Sequence, residues 1–228
     1  MSAESGVPTF RGAGGWWNEF RAEDLATPEA WATHPRRVLD FYNFRRRQLY
    51  SVEPNAGHRA LAELEKTHRV SIVTQNIDNL HERAGSTQVL HLHGELDVAR
   101  SSIDPSLLYP LNGRDILMTD RCARGSPLRP HVVWFGEAVT AIPAAQALVE
   151  TADVLLVVGT SLMVYPAAGL IDFAQTAARC FLVDPHIPPS VDADRFTCIA
   201  EPAGVALPRL VHTLQAEEAG GPEAVGPK

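Results

Sequence analysis

Short apolar runs that end on polar side chains recur along the chain. Val70-Ser71-Ile72-Val73 is a β-branched run of the kind that forms a buried strand. It gives way to Thr74-Gln75-Asn76-Ile77-Asp78, where two amides and a carboxylate arrive together. Residues 89–92 repeat the pattern and deliver His93 beside Gly94. Residues 132–135 are strand-like and stop at Gly136. Residues 153–158 form the clearest buried strand and end in Gly159-Thr160-Ser161; Phe181-Leu182-Val183 ends on Asp184. Helical spacing fills the intervals. Val38, Phe41, Tyr42, Arg45 and Leu49 form one stripe, with Arg45 a cation on an otherwise apolar face. Arg46 and Arg47 fall off that stripe and are expected to face solvent. Pro28 and Pro35 suit first helical turns, and Ala60, Leu61 and Leu64 share the inner face of a helix that follows Pro54-Asn55. Further helices are expected over 143–150, 166–178 and 207–214.

Alternating strands and helices with polar strand ends predict an α/β fold: a Rossmann-like parallel sheet with helices on both faces. The sheet domain takes residues 1–27 and 70–214, and a small helical module takes 28–69. Residues 97–127 read as a long irregular insertion, and 215–228 as a disordered tail. Residues 1–15 are small, polar and carry four glycines. They read either as a loop whose amides approach a ligand closely or as a frayed terminus.

Composition narrows the partners. The 228 residues, 45% hydrophobic, suit one large domain, or a main domain with a smaller insertion. A net charge of −7 argues against a general nucleic-acid binder. Three cysteines, Cys122, Cys180 and Cys198, suggest a reducing compartment. No apolar run approaches the ~20 residues that span a bilayer, and no charged leader precedes one. The expectation is a cytoplasmic protein without membrane or nucleic-acid partners.

The polar strand ends are where open α/β sheets bind ligands. The strand, small-residue turn and helix at 153–178 would set amides under a phosphate or ribose. His93 brings a group that titrates near neutrality.

Five motifs occur in order: Ala3-Glu4-Ser5-Gly6-Val7-Pro8-Thr9-Phe10-Arg11, Thr74-Gln75-Asn76-Ile77-Asp78, Leu92-His93-Gly94, Val132-Val133-Trp134-Phe135-Gly136-Glu137 and Val158-Gly159-Thr160-Ser161. Together they resemble the sirtuin family of NAD-dependent protein lysine deacylases, from Ser2 to about Leu214. The resemblance implies that NAD loses nicotinamide at its ribose, the acyl oxygen of an acylated protein lysine attacks there, and a base activates a ribose hydroxyl. Products are nicotinamide, free lysine and O-acyl-ADP-ribose. It makes His93 the base, with Asn76 positioning a ribose hydroxyl or water. It assigns cofactor contacts to Ser2, Ala3, Glu4, Phe10, Arg11, Gln75, Asn76, Ile77, Asp78, Gly159, Thr160, Ser161, Asp184 and Ala203. Val133, Phe135, Gly136 and Glu137 become a strand that pairs with substrate backbone. Trp134 and His91 are read as packing and sheet residues, and His81 as a bystander.

Tyr42-Asn43-Phe44-Arg45 is similar to the Tyr-x-x-Arg signature of class III sirtuins, which remove succinyl, malonyl and glutaryl groups. Such a pair lies side by side on a helix and can grip a carboxylate. Simple acetyl-lysine specificity, a non-catalytic acyl-lysine or NAD binder, and an ADP-ribosyltransferase are the competing readings. Three features depart from the family. Ser101, Asp104, Arg121 and Arg124 stand at the positions of its four zinc thiolates, with Cys122 one position out of register, so no zinc is expected. Asp184 replaces the usual Asn near the adenosine ribose. The family's first strand and its Gly-Ala-Gly turn do not precede Ser2, which suggests a start codon assigned internally.

Overall fold

A computed structural model describes residues 1–9, 21–189 and 191–219. Helix α1 (Pro28–Thr33) starts where Thr27 Oγ1 accepts from the Ala30 amide at 3.1 Å, with Pro28 in its first turn. Helix α2 (Pro35–Leu49) also opens on a proline, which fixes φ and has no amide to satisfy. The α2 stripe is buried as its spacing predicts: Val38, Phe41, Tyr42 and Leu49 pack with Leu25, Ile77, Leu80, Leu96, Val132 and Trp134. Helix α3 (Ala56–Leu64) begins at a capping box, Asn55 accepting from the His58 amide while His58 Nδ1 accepts from the Asn55 amide.

Strand β1 (Ile72–Thr74) is followed by helix α4 (Leu80–Ala84) and by β2 (Val89–His91), which runs parallel to β1 with Thr74 opposite His91. Strands β3 (Gly94–Ser101), β4 (Leu108–Pro110) and β5 (Leu128–Val132) form an antiparallel sheet in the order β4-β3-β5. After helix α5 (Ile142–Glu150) come the parallel strands β6 (Val154–Val158), β7 (Arg179–Val183) and β8 (Phe196–Ile199), and helix α6 (Ala203–Ala219) closes the described chain. In β7, Phe181 and Val183 face the core shared with α3 and α6, while Cys180 and Leu182 face the opposite core. Both faces are therefore covered, as parallel sheets require.

The parallel strands form two groups. Among the described residues β1 and β6 are each the last strand of a sheet, and no ladder joins them. Their ends are brought together by Gln75 Nε2 donating to Thr160 Oγ1 at 3.4 Å and by a common core containing Ile72, Val154, Leu156 and Val158. Only Val157 of β6 is fully buried, although its sequence is apolar throughout.

Several expectations are corrected. Residues 97–127 are not irregular: β3 and β4 lie there, hidden because Asp97, Arg100 and Ser101 break the apolar pattern. Strand β5 stops at Val132, so Val133, Phe135, Gly136 and Glu137 lie past its end and not within a strand. The segment after Pro166 is a 3-10 helix, Ala167–Phe173, and no helix reaches residue 178. Helix α6 runs past Leu214 to Ala219, so the first residues assigned to a disordered tail are helical. Arg46 does not face solvent; it is fully buried.

Arg46 and Asn43 tie α2 to the β3–β5 region. Asn43 Nδ2 donates to the Ile116 carbonyl and its Oδ1 accepts from the Ile116 amide, both at 2.9 Å. Arg46 donates from Nε to the Leu96 carbonyl at 2.8 Å and from Nη1 to Asn43 Oδ1 at 2.7 Å. Beneath them Leu39, Ala99, Leu111, Ile116, Cys122 and Leu128 pack together. The four positions expected for zinc ligands do not fit that metal. Asp104 pairs with the cation Arg124 at 3.1 Å, and Ser101 hydrogen-bonds Ser126, which also meets Cys122. No helix among the described residues is long and apolar enough to cross a membrane.

Asn43→Ala strands the buried Ile116 amide and carbonyl together with one Arg46 donor. Chemical denaturation should show a loss of about 3 kcal/mol; a loss near zero would show that Asn43 does not anchor this region. A second outcome concerns acid. Burial, reinforced by His81 and the N-terminal amine, pushes His58 from 6.5 down to about 3. Stability tied to neutral His58 is complete above about pH 6.5 and is lost as pH falls toward about 3. His58→Gln keeps an acceptor for the capping box and removes the titration. Its denaturation midpoint should therefore fall less between pH 7 and 4 than that of the native chain.

Candidate active site

Thr74 ends β1, and its Oγ1 accepts from the Asn76 amide at 3.0 Å, which turns the chain sharply. The turn exposes two consecutive carbonyls to β2 and the residues after it. His93 Nδ1 lies 3.0 Å from the Gln75 carbonyl. A carbonyl only accepts, so Nδ1 carries a hydrogen, and in the neutral ring the lone pair is on Nε2. Nε2 is thus the atom of His93 able to take a proton.

The side chains of the turn reach three other segments. Asn76 Nδ2 donates to Ser2 Oγ at 2.8 Å, and Ser2 is buried in a 3-10 helix, Ser2–Ser5. Gln75 reaches Thr160 at the end of β6. Asp78 is buried and accepts from the Leu80 amide at 3.3 Å. Ile77 joins the apolar core instead of presenting a polar group. At the end of β6, Gly159 adopts φ 62°, and a Cβ there would come within 2.5 Å of the Met1 nitrogen. Only glycine permits that close approach.

Glu4 and Ala203 meet at the start of α6, where the Glu4 carboxylate accepts from the Ala203 and Gly204 amides at 2.9 and 2.8 Å. That is an anionic cap on a helix N-terminus. Asp184 follows β7 and accepts from the His186 amide at 2.8 Å. Ala3 lies exposed in the first 3-10 helix and Ser161 is exposed after β6. Phe10 and Arg11 lie outside the described residues.

Past β5, the Val133 amide donates to the His93 carbonyl at 2.9 Å, which couples this segment to His93. Phe135 is half exposed. Gly136 takes φ 88° in the turn that lets the Glu137 carboxylate fold back. Glu137 accepts from Arg129 at 2.7 and 3.0 Å, from Arg100 at 3.1 Å and from the Trp134 amide at 2.8 Å. Burial raises its pKa, but Arg129 and the Trp134 amide outweigh this and hold it below the usual carboxylate range. Its carboxylate is therefore engaged in holding the turn, a use that the motif does not reveal.

Tyr42 and Arg45 lie one turn apart on α2 and both are buried. Trp134 Nε1 donates to the Tyr42 hydroxyl at 3.0 Å. Burial pushes the Tyr42 pKa up to about 12, so the phenol stays protonated and its own hydrogen remains available to an acceptor. Burial also lowers Arg45 to about 10, with Tyr42 and Asp78 acting in the opposite sense. A small cavity of about 80 Å³ is lined by Arg45, Gln48, Ile77, Asp78, Val7 and Leu96. It joins the α2 cation to the turn after β1.

Three participants were not legible as such in the sequence. Trp134 orients Tyr42 across 92 positions. Gln48 enters the cavity one turn beyond Arg45. His91 contacts the Asn76 carbonyl at 3.1 Å. Only strand alternation, which places His91 on the same face as His93, pointed toward the last.

The Sir2 family profile matches residues 1–166. The chain is 51% identical over 186 residues to an NAD-dependent protein deacylase of Aggregatibacter actinomycetemcomitans, covering 82% of this chain and 89% of that one. It is 48% identical over 219 residues to an NAD-dependent protein deacylase of Helicobacter pylori, covering 94% and 93%. The fold is similar to that of a Sir2 homologue solved in complex with NAD, with TM-score 0.85, 38% identity and coverage of 95% of this chain and 86% of that one. The chain belongs to the Sir2 family.

Proposed function

We propose that this Sir2-family chain is an NAD-dependent protein lysine deacylase that prefers acidic acyl groups, succinyl and malonyl above acetyl. The observation that carries the preference is buried Arg45, which lines a cavity together with Asp78 and has buried Tyr42 one helical turn away. A carboxylate at the end of an acyl chain gains a bidentate guanidinium partner and a phenol donor there. An acetyl methyl gains neither.

The donor set suits NAD. Gly159 admits the Met1 backbone at the end of β6, and nearby Thr160, Gln75, Asn76 and Ser2 present hydroxyls and amides. Ser2, Ala3, Glu4, Phe10, Arg11, Gln75, Ile77, Asp78, Gly159, Thr160, Ser161, Asp184 and Ala203 are the residues we assign to the cofactor, Asp78 accepting from a carboxamide. NAD, when bound, supplies the electrophilic ribose carbon. His93 Nε2 removes a proton from a ribose hydroxyl, Asn76 orients that hydroxyl, and the backbone of 133–136 receives an extended substrate segment. The three free thiols support a reducing, cytoplasmic setting.

Comparison of succinyl-, malonyl- and acetyl-lysine peptides, with and without NAD, tests the reading. Turnover should require NAD and favour the acidic acyl groups. Arg45→Met should lower kcat/KM for succinyl-lysine about a hundredfold, the worth of charge-assisted hydrogen bonds, with acetyl-lysine changed far less. Equal losses on both substrates would remove Arg45 from acyl recognition. We also infer that no structural zinc is held at 101–124; stoichiometric zinc in the purified protein would overturn that.

A further inference from the structure

His91, the last residue of β2, has a side chain only 7% exposed. Its Nδ1 lies 3.1 Å from the Asn76 carbonyl oxygen and its Nε2 lies 2.8 Å from Glu82 Oε1. Neither partner can donate. A neutral imidazole has one N–H and can satisfy one of the two, whereas an imidazolium satisfies both.

We propose that His91 is a positioning residue for Asn76, and that its imidazolium is the form in which the turn at Gln75-Asn76 is correctly held. When His91 loses a proton, the remaining N–H goes to the carboxylate, the stronger acceptor. The Nδ1 lone pair then faces the Asn76 carbonyl lone pairs, and an attraction becomes a repulsion. The adjacent carbonyl, that of Gln75, is the one that fixes the His93 tautomer. Displacing the turn therefore disturbs both Asn76 and His93.

The surroundings favour the charged form. Burial works against it, but the hydrogen bond and charge of Glu82 on α4, helped by the Asn76 carbonyl and by Glu95 on β3, leave the His91 pKa raised. The other titratable groups facing it are His81 on α4 and His131 on β5. Burial lowers both, His131 to about 4, so they stay neutral where His91 is charged. Activity should fall as pH rises through the His91 titration, which gives the pH profile a basic limb.

The inference rests on the deacylase reading for its kinetic test and not for its spectroscopic one. In the pH profile of kcat, Glu82→Gln should move the basic limb down by about one unit or more, the usual effect of removing an opposite charge at contact distance. His91→Gln, whose amide donates at every pH, should abolish that limb and keep more activity at neutral pH than His91→Phe. A limb unmoved by Glu82→Gln, or equal activities of the Gln and Phe variants, would overturn the proposal. Nitrogen-15 spectra of the histidine rings read the same claim without turnover. Most His91 rings should carry both hydrogens at pH 6.5, the ordinary histidine value, and the Asn76 backbone shifts should follow the His91 titration. A His91 mostly neutral at pH 6.5 would sink the positioning role, whereas NAD-independent or absent turnover with a charged His91 would sink only the deacylase reading.

Discussion

Two consecutive arginines on α2 are buried, and the rest of the structure is arranged around how each is accommodated. A guanidinium removed from water is costly unless hydrogen-bonded. Arg46 is met by main-chain carbonyls and an amide: Leu96 O, Arg114 O and Asn43 Oδ1, with Asp97 at 3.9 Å. Those contacts oblige β3 and the segment around Ile116 to lie against α2. Arg45 is about 100° further round the helix and lies beside Tyr42 at the cavity that includes Asp78. One helix thus serves two ends: Arg46 docks the antiparallel sheet and Arg45 faces the site.

The same helix shows what the sequence could reveal. Helical spacing placed Val38, Phe41, Tyr42, Arg45 and Leu49 on one buried face, and all are buried. It misread Arg46, because periodicity identifies one apolar face and cannot show that a second layer packs on a polar one. The α/β class was legible from strand ends such as Val158-Gly159 and Val183-Asp184. The sheet β4-β3-β5 was not, because Asp97 and Arg100 interrupt its alternation. They are tolerated there because Asp97 accepts from Tyr50 and Gly113 while Arg100 pairs with Glu137.

In the site, local motifs foretold the turn at Gln75-Asn76 and its link to His93, since these residues sit at the ends of adjacent parallel strands. Long-range partners were out of reach. Trp134 holds Tyr42 through its indole N–H, and Arg129 stacks 3.3 Å above the Trp134 ring while binding Glu137. Glu137 then caps the Trp134 amide. This closed loop of contacts turns a segment readable as a strand into a rigid corner. Its rigidity is what lets the Val133 amide meet the His93 carbonyl at a fixed place.

A common device runs through the site: main-chain carbonyls decide where imidazole hydrogens stand. The Gln75 carbonyl assigns the His93 hydrogen to Nδ1, and the Asn76 carbonyl with Glu82 calls for two hydrogens on His91. Neighbouring carbonyls of one turn therefore orient both rings. The two rings stand two residues apart in the sequence, one at the end of β2 and one just past it. Their environments differ, because His91 meets the Glu82 carboxylate as well as a carbonyl. The geometry of β1 against β2 fixes which carbonyl each ring meets, so the register Thr74 opposite His91 is itself part of the site's chemistry.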